Sequence, residues 1–168
     1  MVITPKDAHR FITIYTGVLL RLAGDKSRDL VGDRRLKALI SARKKLLAKF
    51  KSRKNSEIFL PEDAADVRAA IQGIVFARWF YLRDTTKYSI LVDAERQESY
   101  AVLGLNQPLA EIFNGPSVSF EAGVCPLSGQ YICDGLFADP LYIGPNLRSD
   151  FRALQAKLAR TGRFHKRP

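Results

Sequence analysis

The sequence predicts an α+β domain: three N-terminal helices packed on a small, mainly antiparallel sheet of four to five strands, closed by a C-terminal helix. Two changes of hydrophobic period carry that prediction. Apolar residues recur at helical spacing up to about Arg83, alternate singly from Lys87, and return to helical spacing after Pro145. No internal repeat and no Gly/Ser-rich linker interrupts the chain, so residues 1–168 are expected to form one domain. The helical half then covers 1–84, the sheet and last helix 87–162, and a basic tail 163–168.

The first helix begins at Thr4-Pro5-Lys6-Asp7, where Thr4 can cap, Pro5 suits the first helical position and Asp7 completes an approximate capping box. Phe11, Tyr15, Val18 and Leu22 follow at helical spacing until Gly24 ends the run. The second helix starts near Asp33, its expected cap, and carries Leu36, Leu39, Ile40, Leu46, Leu47 and Phe50 on one face. Arg43 falls inside that apolar stripe, so it must either carry its charge out to solvent or meet an acid or backbone carbonyls. A third helix is expected from Pro61 to about Arg83, with acids in its first turn to suit the helix dipole. It has a stripe of Ala64, Val67, Ile71, Ile74, Val75 and Leu82, broken by Arg78.

"KYSILVD" and "ESYAVLGL" flank "AERQ" as one hairpin, and "SVSFEAGVC" and "QYICDGLF" flank "PLSG" as a second. Between them "NQPLAEIFNG" predicts one or two helical turns, capped by Asn106 or Gln107. "DPLYIGPN" gives a short extended piece, and the last helix starts at Pro145 or Asn146 and stops at Gly162, with Leu147, Phe151, Leu154 and Leu158 on one side.

Composition narrows the function classes. Hydrophobic residues at 46% and charged residues at 26% are ordinary globular values. The absence of a long apolar run and of a secretion-signal layout in "MVITPKDAHR" predicts a cytosolic protein without membrane contact. Cys125 and Cys133 are expected to be buried thiols. With "PLSG" as the turn, Cys125 faces Gln130 and Cys133 faces Ala122, which excludes a disulfide. Only His9 and His165 could join them, too few soft ligands for a zinc site, and no glycine-rich phosphate loop with its lysine is present. No cofactor is therefore expected.

Charge is distributed unevenly. The net charge of +10 resolves into +1 for residues 1–33, +10 for 34–54, minus seven for 55–150 and +6 for 151–168. "RRLKALISARKKLLAKFKSRKN" (34–55) holds ten lysines and arginines and no acid.

At "YAVLGLNQPLAEIF" (100–113), "CPLSGQYICDGLF" (125–137) and "YIGPNLRSDF" (142–151) the chain resembles a widespread, largely uncharacterised bacterial α+β module. Its marks are a VxGLxxPL segment, a PxxGxxxxDGL segment and a glycine-rich turn into a basic helix. Cys125-Pro126-Leu127-Ser128 departs from that pattern, standing where members carry an apolar residue, proline and an aromatic. The resemblance implies a shared fold for the C-terminal part of the chain and assigns no site residue.

The candidate site is the cationic face of the second helix: Arg34, Arg35, Lys37, Lys44, Lys45, Lys49, Lys51 and Arg53. Such a face attracts phosphates and gains affinity from counterion release without reading sequence. A solvated face, or neutralisation by the acidic segment 55–150, is the structural alternative. Asp134 next to Cys133 could mark a catalytic strand edge, but a histidine base is missing nearby, and a local turn with Asp134 bonding backbone N–H groups accounts for the same residues. The expectation is a non-catalytic protein that binds RNA or DNA through the basic helix and the tail "RTGRFHKRP". The alternative is an interaction or regulatory module that presents the same helix to an acidic protein partner or to a second subunit in a homodimer.

Overall fold

The structure, a computed structural model, describes residues 1–24, 29–51 and 58–168. Its elements run α1 (Pro5–Ala23), α2 (Gly32–Lys51), α3 (Ala65–Gln72), β1 (Val75–Asp84), β2 (Ser89–Asp93), β3 (Glu98–Leu103), α4 (Leu109–Phe113), β4 (Val118–Leu127), β5 (Gln130–Cys133), β6 (Ala138–Tyr142), α5 (Pro145–Arg160) and β7 (Phe164–His165). Helix α1 starts as expected, the Asp7 N–H donating to Thr4 Oγ1 at 3.2 Å with Pro5 in the first turn.

The expected architecture of three N-terminal helices on a small four- to five-strand sheet is overturned. The described helices are spread along the chain, and the strands form a seven-stranded sheet that closes on itself. The order is β1-β2-β3-β5-β4, and β4 pairs again with β1 to shut a five-stranded barrel; β6 adds to β4 and β7 to β3. Closure is possible because β1 and β4 are 10 residues each. Strand β1 gives Val75–Tyr81 to β4 and Phe80–Asp84 to β2. Strand β4 gives its other edge to β5 over Val124–Leu127 and to β6 over Val118–Glu121. Within the barrel β3 and β5 run parallel, while the other neighbours are antiparallel. The five barrel strands are therefore joined as a Greek key rather than simply up and down.

The third helix is the element most changed from expectation. It stops at Gln72, and the segment predicted as its second half is β1, which places Trp79, Phe80 and Tyr81 on a strand. "VFARWFYL" is apolar at almost every position, so it satisfies a period of 3.6 and a period of 2 alike. Its aromatic and β-branched content favours the strand, and Gly73 ends the helix just before it. On β1, Trp79 and Tyr81 point into the barrel and Phe80 and Leu82 point out.

Three cores follow from that alternation. The barrel interior holds Trp79, Tyr81, Leu91, Tyr100, Phe120 and Val124, and the Trp79 indole N–H donates to Ala122 O at 2.9 Å. Helices α1, α2 and α3 cover one outer face around Cys125, Leu127 and Ile132. Helix α5 covers another, packing Leu158 and Phe151 on Phe80, Leu82, Ile90 and Val92.

Both predicted hairpins form, but the second has a tighter turn than expected. Ser128 (φ 50°) and Gly129 (φ 71°) alone make it, a two-residue turn with both φ positive that matches the strand twist. Strand β4 therefore continues through Leu127, so Cys125 faces Ile132 and Cys133 faces Val124. The cysteines stay on opposite faces of the sheet, one in the helix-covered core and one inside the barrel, and both are free and buried. Helix α4 is capped at Pro108 rather than at Asn106 or Gln107.

Candidate nucleic-acid interface

Helix α2 divides its cations by face. Leu39, Ala42 and Leu46 are buried against the α1/α3 side, and Arg43 is buried with them, its side chain 0% exposed. Arg43 Nη1 donates to Asp134 Oδ2 at 2.8 Å and to Leu136 O at 2.5 Å, and the guanidinium lies 4.6 Å from the centroid of Phe76. The Tyr15 hydroxyl donates to the same Asp134 Oδ2 at 3.0 Å, while Asp134 Oδ1 accepts the Leu136 N–H at 3.1 Å. One carboxylate thus gathers α1, α2 and the loop after β5. Gly123 makes the approach possible: a Cβ there would overlap the Ile74 side chain and stand 2.8 Å from Asp134 Oδ2.

Asp134 is sealed from solvent, its side chain 0% exposed. Burial, and after it the Asp134 charge, pushes the Tyr15 hydroxyl and both the Cys125 and Cys133 thiols well above their usual ranges. Each therefore stays protonated, and the thiols are not nucleophiles. Of the outcomes open to Arg43 from the sequence, solvent, an acid or backbone carbonyls, the structure shows the last two, at Asp134 and Leu136 O. Arg78, by contrast, is not in a helical stripe at all. It sits on the outer face of β1, 38% exposed, pairing with Glu121 at 3.3 Å and donating to Asp139 O at 3.2 Å.

The remaining candidate cations face outward. Arg34, Lys37, Lys44 and Lys45 are exposed, and Arg35 and Lys49 are half-buried. Lys45 Nζ reaches Leu22 O at 3.4 Å. Arg53 and the side chain of Lys51 lie outside the described residues. Among the described residues no ion pair joins Arg34, Lys37, Lys44 or Lys45 to an acid. The acids of the 55–150 segment are instead met by arginines elsewhere, Asp63 by Arg21, Asp66 by Arg10 and Glu121 by Arg78.

The basic tail expected to bind joins a second cationic group whose other member, Lys87, was not singled out from the sequence. The β1–β2 turn, the β4–β5 turn and the C-terminal tail surround a cleft of about 630 Å³ on the outer side of β3. Lys87 enters from the first turn, Lys166 and Arg167 from the tail, and Ala101 and Leu103 form the floor. All three cations are exposed, while Tyr88 is half-buried at the cleft wall. The signal in the sequence was the +6 of residues 151–168, but nothing local could show that Lys166 lies near Lys87. The tail pairs with β3, whereas α2 packs in the helical layer.

No described helix is long and apolar enough to cross a membrane. Comparisons with protein-family models, curated proteins and solved structures give no match.

Proposed function

We propose that the protein binds nucleic acid, RNA or DNA, as a polyanion and without sequence preference, in the cleft beside β3, with the outer face of α2 as an additional contact. The observation that carries this is the convergence of Lys87, Lys166 and Arg167, from points far apart in the chain, on one cleft. The OB fold, also a five-stranded Greek-key barrel, binds oligomers on the face of strands 2 and 3 between the loops that correspond here to the β1–β2 and β4–β5 turns. Connectivity alone assigns no function. Three cations and a tyrosine in that place add the chemistry that phosphates and bases require, charge for counterion release and a ring for stacking. Helix α2, 20 residues and about 30 Å long, offers Arg34, Lys37, Lys44 and Lys45 to a longer strand.

The test is fluorescence anisotropy with labelled single- and double-stranded oligonucleotides of varied sequence over a salt series. Each phosphate contact contributes about 0.7 to the log–log salt slope for a single strand. The Lys87→Gln, Lys166→Gln, Arg167→Gln variant is therefore expected to flatten the slope by about two. Absence of binding at low salt rejects the proposal. A loss confined to Lys37→Gln, Lys44→Gln, Lys45→Gln moves the interface to α2.

A second reading has one observation in its favour: Val31 is 78% and Leu36 42% exposed at the start of α2, beside its cations. An acidic protein surface or a second copy of the chain would cover both. Sedimentation of the protein at rising concentration distinguishes self-association from nucleic-acid binding.

A further inference from the structure

The tail that supplies Lys166 and Arg167 to the cleft is held by few ties. Phe164 and His165 pair in parallel with Ser99 and Tyr100, and the Ser99 N–H donates to Arg163 O at 2.9 Å. Phe164 packs beside Leu158 of α5 and meets Tyr88 edge-on at 6.2 Å. The His165 ring lies on the Tyr100 ring at 4.6 Å. Its Nε2 is buried without a hydrogen-bond partner, yet only 3.9 Å from Glu98 Oε1. A neutral imidazole offers Glu98 at most one N–H dipole at that distance, whereas a protonated one faces the carboxylate as a cation.

We propose that His165 and Glu98 form a proton-operated clasp that seats the C-terminal tail, and with it Lys166 and Arg167, against the barrel. Imidazole is the ordinary side chain whose charge changes between about pH 5 and 8, so the clasp closes as pH falls through that range. The groups around His165 leave Glu98 as its counter-ion. From β3 come Glu98 and Tyr100, whose hydroxyl donates to the other Glu98 oxygen at 2.9 Å, and from β5 comes Tyr131, edge-on at 6.5 Å. Burial, then the bond to Glu98, raises the Tyr100 hydroxyl above its usual range, which keeps it a donor. Arg96 in the β2–β3 turn is 3.7 Å from Asp93. In the tail, Arg163 donates to Gln97 O at 3.5 Å and Lys166 lies over Phe164 at 5.4 Å. From α5, Leu158 packs against the tail.

The effect on binding rests on the cleft described above; the clasp itself can be read without any nucleic acid. In the full chain, exchange protection of the Ser99 amide, corrected for intrinsic rates, should be about two- to fivefold greater at pH 5.5 than at pH 8, the range for a partly exposed ion pair. The His165 side-chain NMR signal should titrate in step with that protection. Glu98→Gln should flatten the dependence, and His165→Gln should do the same from the other side, whereas His9→Ala, on exposed α1 surface, should leave it unchanged. Oligonucleotide affinity at constant ionic strength should follow the same curve. A pH-independent Ser99 amide in the native chain, or an undiminished dependence in both Glu98→Gln and His165→Gln, overturns the clasp. A pH-dependent clasp with no oligonucleotide binding sustains it and rejects the nucleic-acid proposal alone.

Discussion

Replacing Arg43 by methionine tests how the helical layer is fastened to the barrel. Methionine keeps much of the stem volume, so the perturbation is mainly electrostatic. It leaves Asp134 with a side chain 0% exposed and without its counter-ion, holding only the Tyr15 hydroxyl and the Leu136 N–H. Breaking one partner of a buried pair costs about 3–5 kcal/mol, because the remaining charge is uncompensated. With a urea m-value of about 2 kcal/mol/M, the denaturation midpoint should fall by about 1.5–2.5 M. Two further outcomes separate charge from packing. Adding Asp134→Asn to Arg43→Met should restore part of the loss, since a neutral amide can keep its oxygen on the Leu136 N–H and turn its NH2 to the Tyr15 hydroxyl oxygen without the burial cost of a charge. Acidification should also narrow the gap between Arg43→Met and the native protein. Protonation removes the uncompensated charge that the substitution leaves in the interior, so the variant loses less relative to the native protein as pH falls. A midpoint shift equivalent to less than about 1 kcal/mol, or a double variant no more stable than Arg43→Met, would refute the view that this ion pair carries the junction.

Alkaline pH should destabilise the fold in a defined window. Tyr15, Tyr81, Tyr100, Cys125 and Cys133 all have raised values in the folded state, by burial first. Their contribution is complete below the unfolded values, about 8.5 for thiols and 10 for tyrosine, and is lost as pH rises past them. Tyrosinate absorbance should thus lag behind that of the urea-unfolded chain, and coincident titrations would contradict the burial of these hydroxyls. Gly123→Ala should lower Tm by about 3–10 °C, the effect of an overpacked site worth about 1–3 kcal/mol in a domain of this size. An unchanged Tm would show that Ile74 and Asp134 can retreat from the new Cβ.

Local physics determined a good deal from sequence alone. The Thr4–Pro5–Asp7 start of α1 and the β2–β3 hairpin were legible because caps, turns and strict alternation act over a few residues. Arg43 inside an apolar stripe already required a partner or an exit to solvent, since desolvation forbids an isolated buried guanidinium, and the structure supplies the partner. Only the tertiary structure decided the rest. Strand β1 was misread because its apolar residues fit either period, and what selects the strand is pairing with Val118–Val124, about forty residues away in the chain. Barrel closure through β1–β4 and parallel β3–β5 depends on contacts between distant segments, which no local pattern encodes. The choice of Asp134 among the acids of its segment and the meeting of Lys87 with Lys166 and Arg167 have the same origin. Composition states how much charge a chain carries, but the fold alone sets which charges are buried as pairs and which gather at one cleft.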